Sequence, residues 1–257
     1  MMNISVCTTP AEITDDDIRN CIVVVIDVLR SSSTIIAALA NGAREVIPVS
    51  TPAEAGELAS RLDITGSLMG GEREGRQIEG FDLGNSPPQY AEDIVAGKTV
   101  FFSSSNGTPA ILRVKNANRV IIGGFNNLST VLEYLLQQRK EIIILCSGRS
   151  GRFSLEDFVC AGSMIAGLMG RLKGPDVSFN DAATAAAELY RRNMNLLVDV
   201  MRRSEHGKRL MEIGFGKDLS YCAQIDSHNV LPLYVEGKIR GLKQDAGALA
   251  ETETATA

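Results

Sequence analysis

The run Ile22-Val-Val-Val-Ile26, entered from Cys21 and left through Asp27-Val-Leu-Arg30, constrains this chain more than any other feature. Five consecutive β-branched residues with no polar alternation need burial on both faces, as at the centre of an α/β sheet. After Asp27 the chain passes through Arg30-Ser-Ser-Ser-Thr34 into a small-residue helix that ends near Ala40, where Asn41-Gly42 supplies the stop. Residues 45–49 read as the next strand, and Thr51-Pro52-Ala53-Glu54 as a capping box with proline at the first helical position.

The same order recurs along the chain. A displacement of 74 residues lays Ser31, Thr34, Ala43, Val46 and Ile47 on Ser105, Thr108, Ala117, Val120 and Ile121. A third unit starts at Glu141-Ile-Ile-Ile-Leu-Cys146, crosses Ser147-Gly-Arg-Ser-Gly-Arg152 and enters a helix at Ser154, with Asp157 as capping partner. Three strands thus deliver polar loops onto helix N-termini. In an open α/β sheet that is where ligands bind, and helix N-termini favour anions.

Between these units, residues 69–88 interleave Gly70, Gly71, Gly75, Gly80 and Gly84 with Arg73, Arg76 and the acids Glu72, Glu74, Glu79 and Asp82, a composition suited to a functional loop rather than a connector. Asn85 or Ser86 is expected to cap a helix running through Ala96, with Pro87 in its first turn and Gly97 at its end. Residues 182–201 read as one long alanine-rich helix that packs in the core or against a second subunit, so a homodimer is expected. Ser204 or Glu205 opens a shorter helix, and residues 230–235 form a late strand. No linker separates independent domains. The chain reads as one compact α/β/α layered domain over 1–242 with a mostly parallel or mixed sheet, possible related lobes dividing near 100–140 around one cleft, and a disordered tail at 243–257.

Composition narrows the chemistry. The formal charge of −5 and pI near 5.2, with 13 Phe plus Tyr and no Trp, oppose an extended nucleic-acid surface. No apolar run reaches the ~18 residues of a membrane span. Five cysteines without CxxC spacing, and no basic-plus-apolar leader, point to a cytoplasmic protein with free thiols. With only His206 and His228 available, any metal must be held by carboxylates, which favours a hard cation such as magnesium.

Two nucleophile patterns are partial. Asp27 stands where an aspartyl nucleophile stands in haloacid dehalogenases, but position 29 is Leu, so the DxD signature is missing. Cys146 to Arg152 fits CX5R, yet Leu145 replaces the preceding histidine and a buried structural cysteine explains the same residue. There is no GxxxxGK[ST] and no GxGxxG after a strand. The acids of Glu72-Arg73 and Glu156-Asp157 lie beside glycine-rich loops that carry arginines, and their convergence would make a cation-plus-phosphate site.

Ile26-Asp-Val-Leu-Arg30, Gly70-Gly-Glu-Arg73, Gly80-Phe-Asp-Leu-Gly-Asn-Ser-Pro87, Asn106-Gly-Thr108 and Glu156-Asp157 with Ala161-Gly162, in this order, resemble the motif series of the 2-phosphosulfolactate phosphatase (ComB) family. The likeness spans about residues 20–235. It implies the family's own α/β fold and a magnesium-dependent phosphatase converting 2-phosphosulfolactate to 3-sulfolactate on the route to coenzyme M. Ser31-Ser-Ser33 and Ser103-Ser-Ser105 stand where more Thr and Ala are expected. On this resemblance Asp27, Glu72 and Asp157 are the candidate catalytic residues and magnesium ligands. Arg30, Arg73, Asn85, Ser86, Asn106, Gly107, Thr108, Gly148 and Arg152 are the candidate substrate contacts, with Arg76 and Arg149 as further cationic anchors. Phosphate, carboxylate and sulfonate on three carbons suit arginine forks. A broader phosphatase of 2-phospho-2-hydroxy acids, or a non-catalytic sensor of a phosphorylated or sulfonated metabolite, would use the same residues.

Overall fold

The structure is a computed structural model that describes residues 2–61, 66–172 and 174–242; the expected tail at 243–257 lies outside the described residues. In chain order the first elements are β1 (Met2–Cys7), α1 (Asp15–Ile18), β2 (Ile22–Ile26), α2 (Ser31–Ala40), β3 (Glu45–Pro48), α3 (Pro52–Arg61), β4 (Leu68–Arg73) and β5 (Arg76–Gln77). There follow α4 (Glu92–Val95), β6 (Thr99–Ser103), α5 (Gly107–Arg113), β7 (Arg119–Gly123), α6 (Leu128–Leu136), β8 (Ile142–Cys146) and α7 (Leu155–Arg171). The last are β9 (Val177–Phe179), α8 (Asp181–Asn193), α9 (Leu197–Arg203), α10 (Glu205–Glu212), α11 (Gly216–Cys222), β10 (Leu231–Val235) and β11 (Lys238–Leu242).

Among the described residues, eleven strands form one open mixed sheet in the order β5-β4-β6-β3-β11-β10-β7-β2-β8-β1-β9. The β2 run is buried on both faces, as its sequence requires. Ile22, Val24 and Ile26 pack with residues of α6, α7 and α8, while Val23 and Val25 pack with α2 and α5. β2 lies parallel to β7 and β8, and β3 parallel to β6, while the antiparallel β10–β11 hairpin joins the two parallel sets. The 74-residue echo corresponds to two crossovers: β2-α2-β3 passes from one set to the other, and β6-α5-β7 returns. Pairing of Ile22 with Arg119 and of Glu45 with Thr99 sets the two crossings side by side. No described helix is long and apolar enough to cross a membrane.

Two helices differ from expectation. The segment from Pro87 holds only a 3-10 turn over Pro87–Gln89 and the short α4, and Ser86 makes no side-chain cap. Tyr90 breaks it: its phenol is buried and donates to the Gly84 carbonyl at 2.7 Å, its own carbonyl accepts from Asn41 at 2.7 Å, and Ala91 turns extended. The alanine-rich stretch also divides, at residues 194–196, so that α9 can turn Leu197, Val200 and Met201 into the core. Its buried alanines, 183, 186 and 187, belong to the same core as α7; a Cβ on Gly162 would lie 2.0 Å from the Ala186 carbonyl oxygen, so the two helices touch at backbone distance.

Candidate active site

The carboxyl ends of β2, β4, β6 and β8 and the first turn of α7 bring four acids together. Asp27, directly after β2, is 5% exposed, and its N–H donates to Ser32 Oγ at 2.8 Å. Burial pushes its carboxyl up to about 7 against the pull of hydrogen bonds from Ser31, and the charges of Glu72 and Glu156 add to the rise. Gly107, at the start of α5, closes on the same point. A Cβ there would lie 2.5 Å from Ser31 Cβ and 2.6 Å from Asp27 Oδ2, so only glycine lets the two crossover helices meet.

Asp157 sits in the first turn of α7, where its N–H donates to Ser154 Oγ at 3.5 Å. Its carboxylate does not complete the expected capping box. It accepts from Val28 N–H (2.8 Å), Ser147 Oγ (3.2 Å) and Gly148 N–H (3.3 Å), tying the loop after β2 to the loop after β8. Burial, then Asp27 and Glu156, hold its carboxyl well above the usual carboxylate range. Glu72, on β4, accepts from Gly75 N–H at 2.7 Å on one oxygen and from Ser105 N–H at 2.7 Å on the other, so it fastens the glycine hairpin to the loop after β6.

Glu156 is 1% exposed, and its Oε1 has no hydrogen-bond partner among the described residues. It lies 3.7 Å from His206 Nδ1, and burial raises its carboxyl. Burial, with Arg149 and Arg30, lowers His206 to about 3, so the imidazole is neutral at neutral pH.

The candidate substrate contacts divide. Arg30 is enclosed, 2% exposed, with Nη1 on Asp218 (2.7 Å), Nη2 on the Gly75 carbonyl (2.7 Å) and its guanidinium 4.3 Å above the Phe215 ring. Ser86 Oγ donates to the other Asp218 oxygen at 2.7 Å. Both residues brace the site walls. Arg73 donates to Ser103 Oγ at 2.9 Å and to its neighbour's carbonyl at 2.8 Å. Arg149 approaches Glu205 at 3.8 Å, and Arg152 and Arg76 are exposed. Gly148 has φ +66° and stands where a Cβ would meet the Arg152 carbonyl oxygen at 2.4 Å. Asn106 accepts from Ser150 N–H at 2.9 Å, and Thr108 and Ser104 bond each other's backbone at 2.9 and 3.0 Å. The N–H groups of Ser105, Thr108, Gly148 and Ser150 are therefore in use.

Cys146 does not serve as a CX5R nucleophile. It is fully buried in the core, and burial with the Asp157 charge pushes its thiol well above its ordinary value, which suppresses the thiolate. The expected trio Asp27, Glu72 and Asp157 does not converge as a metal cage either: among the described residues no three His, Cys, Asp or Glu side chains do. Glu72 and Asp157 are turned toward the loop donors instead. A magnesium ion, however, takes one or two carboxylates plus water and substrate phosphate, which suits Asp27 in an acid cluster with orphaned buried oxygens on Glu156 and Asn85.

A family model described as 2-phosphosulpholactate phosphatase matches residues 7–237. The chain belongs to this family. A protein of Caldanaerobacter subterraneus named "Probable 2-phosphosulfolactate phosphatase" is 40% identical over 89% of this chain and 93% of its own. Proteins of the same name from Clostridium acetobutylicum and Thermotoga petrophila are 37% and 42% identical, over 93% and 83% of this chain and 100% and 89% of theirs. Phosphosulfolactate phosphatases are phosphoric monoester hydrolases, and all four acids of the cluster fall inside the matched region. Asp218 and His206 carry no motif in the sequence; burial reveals them, Asp218 through its contacts with Arg30 and Ser86 and His206 through its approach to Glu156.

Proposed function

We propose that this protein is a magnesium-dependent phosphatase that hydrolyses 2-phosphosulfolactate to 3-sulfolactate and inorganic phosphate. The observation that carries this reading is the junction of Asp27, Ser31 and Gly107, where a buried carboxylate near pKa 7 meets two helix starts among glycine-rich, arginine-bearing loops. Phosphoryl transfer asks a protein mainly for positioning and charge stabilisation. Asp27 is the carboxylate we place on the ion. A bound magnesium ion would supply charge neutralisation to the phosphate. Ser31 and Asn85 orient phosphoryl oxygens beside Asp27, Arg149 and Arg152 face the other acidic groups of the substrate, and Glu72 and Asp157 keep the loops in place for direct in-line attack by water. The five free thiols suit a reducing cytoplasm, and the product would feed coenzyme M or another sulfonate.

Phosphate release measured at fixed magnesium across 2-phosphosulfolactate, phospholactate and phosphoglycolate tests the reading. Preference for 2-phosphosulfolactate, abolished by EDTA, is the expected result. Equal rates on all three would replace it with a broad 2-phospho-2-hydroxy acid phosphatase, and binding without release would make the protein a sensor.

A further inference from the structure

The helix α10 touches two walls of the site. At its far end Leu210 and the terminating Ile213 pack on the glycine hairpin: a Cβ on Gly75 would lie 2.7 Å from Ile213 Cδ1 and 3.6 Å from Leu210 Cδ2. The Gly75 N–H holds Glu72, and its carbonyl holds Arg30. At the near end Ser204 caps the helix, accepting from Gly207 N–H at 3.0 Å, and the two residues between them meet the segment after β8. Glu205 approaches Arg149 at 3.8 Å, but its side chain is exposed, and such pairs contribute little. The neighbouring His206 approaches Glu156, with side chains only 17% and 1% exposed.

Glu156 Oε1 has no hydrogen-bond partner among the described residues and lies 3.7 Å from His206 Nδ1, roughly 0.8 Å beyond an ordinary N–H···O bond. A buried carboxylate oxygen left without a donor is costly and needs a reason. His206 offers the donor. Burial, then Arg149 and Arg30, disfavour a charged ring, and its second place in α10 acts in the same direction, so the imidazole carries one N–H. Hydrogen bonds at active sites are often long in the free protein and tighten in the complex. The charge of Glu156 acts on both Asp27 and Asp157, so the place where its carboxylate is held matters to the whole cluster.

We infer that His206 is a positioning residue of the site: its Nδ1–H is the donor for Glu156 Oε1, and through this contact α10 fixes the segment after β8 against the glycine hairpin. The inference rests on the phosphatase reading only for its effect on rate. The first measurement is the 15N spectrum of the two histidine rings in the full-length wild type at neutral pH, with His228→Gln to assign them. His206 should show the Nδ1–H tautomer, and folded Glu156→Leu should lose it. The second measurement is turnover. His206→Asn keeps an amide N–H one bond beyond Cγ, where Nδ1 stands, and should retain kcat within a few-fold. His206→Leu, of similar volume but without a donor, should lower kcat about ten- to a hundredfold with KM unchanged, its fold certified by thermal melts. An Nε2–H tautomer in wild type, an Nδ1–H form unchanged in folded Glu156→Leu, or equal kcat in His206→Asn and His206→Leu would each overturn the assignment. If the wild type releases phosphate from no tested ester, the phosphatase reading fails and the tautomer alone decides.

Discussion

Arg30 donates to Asp218 at 2.7 Å with both side chains buried, so an ion pair 188 residues apart in sequence locks α11 to the loop that follows the central strand. The second Asp218 oxygen takes Ser86, and the second Arg30 nitrogen takes the Gly75 carbonyl, which places the Asp218 carboxylate behind two of the family's motif strings. Removing one partner of such a pair strands a buried charge, at about 3–5 kcal/mol. Asp218→Asn is therefore expected to lower the unfolding free energy by that much, and Arg30→Met with Asp218→Leu to lower it far less. Equal losses in the single and double variants, measured by urea unfolding, would contradict this account.

Gly107→Ala should fold and lose activity. The added methyl falls within 2.7 Å of Ser31 Cβ, Ser31 Oγ and Asp27 Oδ2, so α5 must back away from α2. A displacement of about 1 Å at reacting groups costs on the order of a hundredfold in rate. The loss should appear in kcat, with the far-ultraviolet spectrum unchanged; a kcat close to wild type would show that the junction is not where chemistry occurs.

The central strand, the three loops after β2, β6 and β8, and the acids at their ends were legible because their patterns are local: β-branched runs, serine and glycine clusters, Ser154 before an apolar helix. What stayed hidden depends on distant contacts. Nothing in the string around Tyr90 announces that its phenol will reach Gly84 and end a helix that Pro87 seemed to start. Asp218 looks like any polar residue of a surface helix until Arg30 is found beneath it. Asp157 read as a capping residue, since the distant partner of its carboxylate, Val28, is 129 positions away. Glycines such as 107 were noticed, but only coordinates show that their missing side chains make room for the opposite crossover.

Cys146→Ala should leave phosphate release within a few-fold of wild type. The thiol lies at the end of β8 beside Ile26 of the central strand, shielded from solvent, and is held in its protonated form. Truncation removes only one buried sulfur atom, so its effect should be a modest loss of stability. A folded but inactive Cys146→Ala enzyme, indifferent to EDTA, would instead establish thiolate catalysis.

The acid cluster also sets how stability depends on pH. In the unfolded chain Asp27 has an ordinary pKa near 3.9, whereas burial holds it at about 7 in the fold. The folded state therefore binds the proton more tightly. Its contribution to stability is present at low pH and is lost as pH rises from the carboxylate range through 7. Glu156 and Asp157, also raised, act in the same direction. His206 acts oppositely, since its pKa is lowered in the fold, but its loss of stability begins only as pH falls below about 6.5. Between pH 8 and 6.5 the carboxylates dominate. Metal-free wild type should gain roughly 1 kcal/mol on acidification across that window, and Asp27→Asn should gain less. Saturating magnesium should flatten the wild-type slope, because the cation replaces the proton as the charge that offsets the cluster. Urea unfolding in EDTA at the two pH values measures this directly, and a slope in Asp27→Asn equal to that of wild type would place the titrating proton elsewhere.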